Sequence, residues 1–213
     1  MRKQIRIDFV SDVSCPWCVI GLKSLEQALQ RVADIADAQL HFQPFELNSQ
    51  MAPAGQDIGE HLAQKYGASA EQRAQTSEMI RARGAELGFH FGARERIYNT
   101  FDAHRLLHWA GQHGLQHALK MALFDAYFSA GENVSTHDVL LRVALDVGLD
   151  GTEAARILAS DSYAAEVRER EQFYQRQGIS SVPAIILNDR HLISGGQSPD
   201  VFEQALRQIL TQT

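Results

Sequence analysis

The chain has 213 residues, of which 45% are hydrophobic and 22% charged, enough for one large domain or one domain carrying an insertion. The formal net charge of −6 argues against nucleic acid or an anionic membrane as the main partner, and no run approaches the roughly 18 apolar residues of a membrane span. The two cysteines, Cys15 and Cys18, are too few for a disulfide framework.

The first apolar run, residues 5–11, alternates with Arg6 and Asp8 and reads as a strand rather than as the h-region of a signal peptide. The expected location is therefore the cytoplasm, the alternative being a mature protein whose signal has been removed. Residues 16–32 read as a helix, with Leu22, Leu25, Leu29 and Val32 on one stripe and Pro16 in the first turn, where a missing N–H costs nothing. Residues 39–45 form a weak strand pattern, which completes a β-α-β opening with parallel strands and a right-handed crossover.

From about residue 57 to residue 177 the pattern is helical. The segments are 58–66, 70–87, 101–114, 115–130, 135–147, 151–160 and 162–177, with Ser135 or Thr136 as a cap and Gly178 as a stop. Leu119, Leu123 and Phe124 point inward in the fourth of these. Strand character returns at 184–188 and 191–194, around a turn at Asn188-Asp189-Arg190, and a last helix begins at Ser198 or Pro199. Two small α/β pieces flanking a helical segment cannot each own a core. The expected fold is α/β: residues 1–55 and 178–213 join in one mixed four-stranded sheet, and 56–177 form an all-helical insertion domain.

Cys15-Pro16-Trp17-Cys18 stands between the first strand and the first helix, the context in which C-x-x-C is a redox motif. The same pair could be half of a zinc site, but structural zinc needs four ligands. His104/His108 and His113/His117 have i, i+4 spacing and lack the glutamate of H-E-x-x-H, so no metal is expected. The unpaired N–H groups and the dipole at a helix start favour a Cys15 thiolate. Cys15 is thus expected to be the exposed, attacking sulfur and Cys18 the buried, resolving one. Pro16 and Trp17 shape the turn, with Trp17 either shielding the site or packing on the surface.

The layout resembles the thioredoxin fold as elaborated in the DsbA family. Residues 11–21, reading SDVSCPWCVIG, look like the opening of its FrnE-like branch of dithiol-disulfide isomerases. Residues 42–48 (FQPFELN), 99–105 (NTFDAHR), 178–183 (GISSVP) and 194–197 (SGGQ) resemble further segments of that branch in the same order. By itself Pro183 reads equally as an edge proline at a strand start. The resemblance implies a cis Val182–Pro183 bond beside the cysteines, with the Val182 backbone pairing with substrate.

The resemblance also implies a thiol–disulfide oxidoreductase acting on protein or small-molecule thiols and disulfides. Its redox group is the Cys15–Cys18 disulfide, and glutathione is a conceivable co-substrate. Asn99, Phe101 and His104 are candidates for a substrate groove, and His104 alternatively for a packed helix residue. Phe89, Phe91, Tyr98 and Phe101 read either as groove or as core, and the Arg81/Arg83 and Arg94/Arg96 pairs as an anion site or as solvated charge. Two other functions compete: a glutathione-dependent isomerase or transferase of an aromatic or polyketide-like molecule, and a chaperone-like binding protein whose cysteines sense redox state. The sequence carries no signal of oligomeric state.

Overall fold

The computed structural model describes residues 2–52 and 54–212. Strand β1 (Lys3–Ser11) leads through the cysteine turn into helix α1 (Pro16–Arg31), and strand β2 (Ala36–Pro44) returns parallel to β1. After the central segment, β5 (Ala184–Leu187) and β6 (His191–Ser194) form a hairpin, and α9 (Pro199–Gln212) follows. The hairpin turns at Asn188 and Asp189, whose φ values of 51° and 55° are those of a primed turn, which Asn and Asp tolerate. Strand β5 lies antiparallel to β1, giving one mixed sheet in the order β2-β1-β5-β6. This is the four-stranded sheet expected from the two ends of the chain.

Register explains how distant residues meet. Val10 pairs with Ala184, so Pro183 falls beside the end of β1, where the chain enters the cysteine turn. Strand β1 is buried from Ile7 to Ser11: Ile7 and Phe9 lie in one core with residues of α1 and α9, and Val10 packs with Tyr174 and Ile179 of the chain that precedes β5. The inward residues of α1 (Val19, Leu22, Leu25, Ala28) and of α9 (Phe202, Leu206, Ile209) belong to the same apolar core as Leu106, Leu123, Phe124 and Phe128 of the central segment. The main core thus continues from the sheet into the insert, and a smaller cluster of Val10, Phe45, Tyr174, Ile179 and Ala184 packs apart from it.

The central segment holds α2 (Ile58–Tyr66), α3 (Ala70–Glu86), α4 (Phe101–Gln112), α5 (Gln116–Phe124), α6 (His137–Asp146), α7 (Gly151–Leu158) and α8 (Ala164–Arg176). It is not all helical: β3 (Gln56–Asp57) and β4 (Arg96–Ile97) pair antiparallel. Two-residue strands are below what periodicity can detect. The fourth expected helix changes form within its length. After Phe124 it widens into a π turn over Asp125–Ser129, where the Phe128 carbonyl accepts from the Gly92 N–H at 2.9 Å and the Ala130 N–H reaches back to Asp125. Thr136 stands at the N-cap of α6 without a side-chain cap bond; its hydroxyl donates to the Asn133 carbonyl at 3.0 Å instead. Among the described residues no helix is long and apolar enough to cross a membrane.

The last turn closes on α1 at two glycines. A Cβ on Gly21 would sit 3.0 Å from Pro183 Cγ, and one on Gly196 only 2.9 Å from the Trp17 carbonyl oxygen. Gly196→Ala should therefore push the 194–197 turn off α1. The expected cost is about 1–3 kcal/mol, read as a lower urea midpoint with an altered Trp17 emission.

Candidate active site

Cys15 is the N-cap of α1, with extended backbone (φ −94°, ψ 112°), and Pro16 opens the helix. Pro16 loses no bond there and leaves the Cys18 N–H to close the first turn on the Cys15 carbonyl at 3.0 Å. Both cysteines are free thiols. The Val182–Pro183 bond is cis. The Cys15 thiol donates to the Val182 carbonyl, with Sγ 3.6 Å from the oxygen. Thus the turn before β5 descends directly onto the outer sulfur. Cys15, expected to be exposed, is only 3% exposed and Cys18 not at all. The reason is that carbonyl contact together with the apolar shell that includes Trp17 and Val182. Burial, followed by the neighbouring Cys15, pushes the Cys18 thiol well above its ordinary range.

A buried carboxylate holds the turn in shape. Asp12 accepts from the Ser14 N–H at 3.2 Å, the Ser14 hydroxyl at 3.0 Å and the Leu47 N–H at 2.7 Å. His104 Nε2 lies 3.5 Å from Asp12 Oδ1. Burial alone would raise the Asp12 pKa, but His104, the Leu47 N–H and the Thr100 side chain outweigh it and bring it to about 2. The Leu47 carbonyl in turn accepts from Lys65 of α2 at 2.6 Å, so the loop after β2 is pinned on both sides.

The other candidates separate. Asn99 accepts the Phe101 N–H at 2.9 Å, opening α4, and its amide reaches the Met51 carbonyl at 3.4 Å. The Phe101 ring lies under the Arg168 guanidinium, 3.8 Å from it. Arg168 also bridges the buried carboxylates of Glu46 and Glu171. Burial and then the Glu171 charge raise the Glu46 pKa. His104 is buried against Asp12, so it supports the cysteine turn from within and does not line an open groove.

Phe89, Phe91 and Phe128 pack edge to face in the core. Arg83 covers the Trp17 ring at 5.3 Å and donates to the Gly196 carbonyl at 2.9 Å, while Arg94 covers Tyr127 and Phe128. These arginines pack on aromatics rather than gathering round an anion. The i, i+4 histidines have separate neighbours: Asp12 for His104, Tyr163 for His108, Trp109 for His113 and Glu26 for His117. Among the described residues no three His, Cys, Asp or Glu side chains are placed to hold a metal.

Sequence reasoning missed Lys120, Glu171 and the role of Asp12. Lys120 is fully buried, and its signal was a charge at i, i+4 between Gln116 and Phe124 on the inward stripe of α5.

A cysteine pair on the first turn of a helix that follows a sheet strand, met by a cis-proline from an adjoining strand, defines a thioredoxin-fold thiol–disulfide protein. The DSBA-like thioredoxin domain family matches residues 6–207, and the chain belongs to this family. It is similar to the uncharacterized protein YwbO of Bacillus subtilis (strain 168), at 27% identity over 203 residues, 95% of this chain and 96% of that protein. Among solved structures it is similar to a probable DsbA oxidoreductase, SCO1869, from Streptomyces coelicolor. That match has 33% identity and a TM-score of 0.93, covering 98% of this chain and 91% of the other. A 2-hydroxychromene-2-carboxylate isomerase shares the fold at 15% identity and a TM-score of 0.74, covering 97% of each chain. The fold and the C-x-x-C pair support a thiol–disulfide redox function.

Because Asp12 ionises more readily folded than in an open chain, its contribution to stability is complete above about pH 4 and is lost as pH falls toward 2. The loss should be roughly 2 kcal/mol. Asp12→Asn should flatten the acid limb of urea stability measured between pH 6 and pH 2.5. An acid limb as steep as that of the unmodified protein would place the titrating group elsewhere.

Proposed function

We propose that the protein is a dithiol–disulfide oxidoreductase in which Cys15 attacks, Cys18 resolves and the turn at Val182 and Pro183 presents the substrate. The observation that carries this reading is the 3.6 Å contact from Cys15 Sγ to the carbonyl preceding the cis-proline. In the first step the Cys15 thiolate attacks one sulfur of a substrate disulfide. The substrate S–S bond breaks, one substrate thiolate leaves and takes up a proton, and Cys15 is left in a mixed disulfide. In the second step Cys18 loses its proton and attacks Cys15 Sγ. The Cys15–Cys18 disulfide forms and the second substrate thiolate departs. The substrate is reduced by two electrons and the dithiol oxidised; run backward, the same steps oxidise a substrate dithiol.

Pro183 contributes through what it lacks and what it leaves open. It has no N–H to compete for a sulfur lone pair beside the cysteines. Its own carbonyl is already taken by the Gly195 N–H of the closing turn at 2.8 Å, so a substrate strand is directed toward Val182. An incoming chain that hydrogen-bonds the Val182 carbonyl displaces the Cys15 thiol from it. Docking and release of the nucleophile are then one event. Protein and small-molecule disulfides are both within this scheme. We further place the reaction in a reducing cytoplasm, where the resting state is the dithiol.

The test is trapping. Cys18→Ala should accumulate a covalent Cys15 adduct on exposure to a disulfide substrate, visible by non-reducing mass spectrometry and lost on adding dithiothreitol. Cys15→Ser should abolish both the adduct and turnover. Full turnover by Cys15→Ser would assign the chemistry elsewhere.

A further inference from the structure

Lys120 is a buried cation that the two steps of thiol–disulfide exchange leave without a task. It is 0% exposed, its Nζ has no hydrogen-bond partner, and the Phe124 ring lies 4.9 Å from it. A π face compensates only a fraction of the cost of burying an ammonium. Its place is set by α5. One turn earlier, Gln116 clamps β2 by accepting the Phe42 N–H at 2.9 Å and donating to the Phe42 carbonyl at 3.0 Å. Lys120, at i+4, extends from the same face of the helix. The groups it interacts with electrostatically are, in decreasing strength, Cys18, Asp12 and Cys15. Asp12 already accepts from Ser14 and Leu47 and faces His104. The Cys18 thiolate has burial and then Cys15 against it, and Lys120 and then the Asp12 backbone in its favour.

We infer that Lys120 is the positioning residue of the resolving step, its ammonium stabilising the Cys18 thiolate that attacks the Cys15 mixed disulfide. This rests on the assignment of attack to Cys15 and resolution to Cys18. Burial draws the lysine down to about 8, and Cys18, Asp12 and Cys15 pull the other way, in favour of the ammonium. Cys18 Sγ bonds to Cys15 Sγ, the bond from Cys15 to substrate breaks, and the electron pair leaves with the substrate thiolate. The proton given up by Cys18 is matched by the one the departing thiolate takes up. Lys120 keeps its proton, and no oxidant or reductant beyond the substrate disulfide is consumed.

The experiment is stopped-flow reaction of the reduced protein with dithionitrobenzoate. The first chromophore release reports attack by Cys15 and the second reports resolution by Cys18. Lys120→Met should leave the first release within about 3-fold and slow the second by about 10-fold or more at pH 7, since one pKa unit is a factor of ten. The pH midpoint of the second release should move upward. Lys120→Arg, which keeps the charge, should restore it. The urea midpoint of Lys120→Met should stay or rise, because an unpaired buried charge has been replaced by an apolar side chain of similar length. If the Met variant does not fold, Lys120→Gln carries the same expectation. An unchanged second release in the neutral variant overturns the inference, as does equal loss in the neutral and Arg variants with no shift in pH midpoint. A second release that survives in Cys18→Ala defeats the resolving role of Cys18, and this inference with it.

Discussion

The cysteine turn depends on one buried carboxylate. Asp12 follows directly on the last residue of β1 and is the point at which four pieces of chain are held together. The turn itself is bound through Ser14, the exit of β2 through Leu47, and the first turn of α4 through Thr100 and His104. None of these pieces is a neighbour of the others in sequence beyond the turn. A carboxylate inside an apolar core is tolerated only when donors surround it. Those donors are at the same time what aligns the sulfurs with the sheet, so the local cost of burying Asp12 and the placement of Cys15 have one cause.

The sheet supplies the second half of the geometry. A parallel β-α-β unit ends its first strand where its helix begins, and the pairing of Val10 with Ala184 puts the residue before β5 at that same end. The helix start delivers the cysteines and the strand start delivers the Val182–Pro183 turn. A shift of one residue in the β1–β5 register would turn every side chain of β5 to the opposite face and carry the proline away from the sulfur. The clamps of Gly21 against Pro183 and of Gly196 against the Trp17 carbonyl explain why the closing turn lies so near α1.

Much of this was legible in the sequence, for physical reasons that can be stated residue by residue. The alternation around Arg6 and Asp8, the stripe from Leu22 to Val32 and the turn at Asn188 and Asp189 are periodic or stereochemical signals. Cys15 and Cys18 announce themselves by scarcity and spacing. The burial of Cys15 leaves no local signal, because the carbonyl that covers it belongs to Val182, 167 residues away in the chain. The β3–β4 ladder and the π turn at Asp125 are too short to imprint a period. Lys120, Glu46 and Glu171 read as surface charges, because a charge in a helix or loop pattern defaults to the solvent face. Only tertiary contacts turn these three inward.

The buried charges divide into two groups with different physics. Arg168 bridges Glu46 and Glu171, each through one carboxylate oxygen while the other stays unbonded, and Arg105 reaches Asp102 and the carbonyls of Ile157, Ser160 and Ser162; their work is to join segments. Asp12, His104 and Lys120 lie instead beneath the cysteine turn: His104 Nε2 stands 3.5 Å from Asp12 Oδ1, and Lys120 Nζ has no hydrogen-bond partner. A core selected for stability alone would replace such groups with apolar side chains. Their concentration next to a fully buried thiol is what a resolving sulfur requires, since water cannot reach Cys18 to stabilise its anion and a fixed charge must do so. Placing that charge on the insert, on α5, rather than on the sheet gives the helical segment a part in the chemistry beyond covering the core.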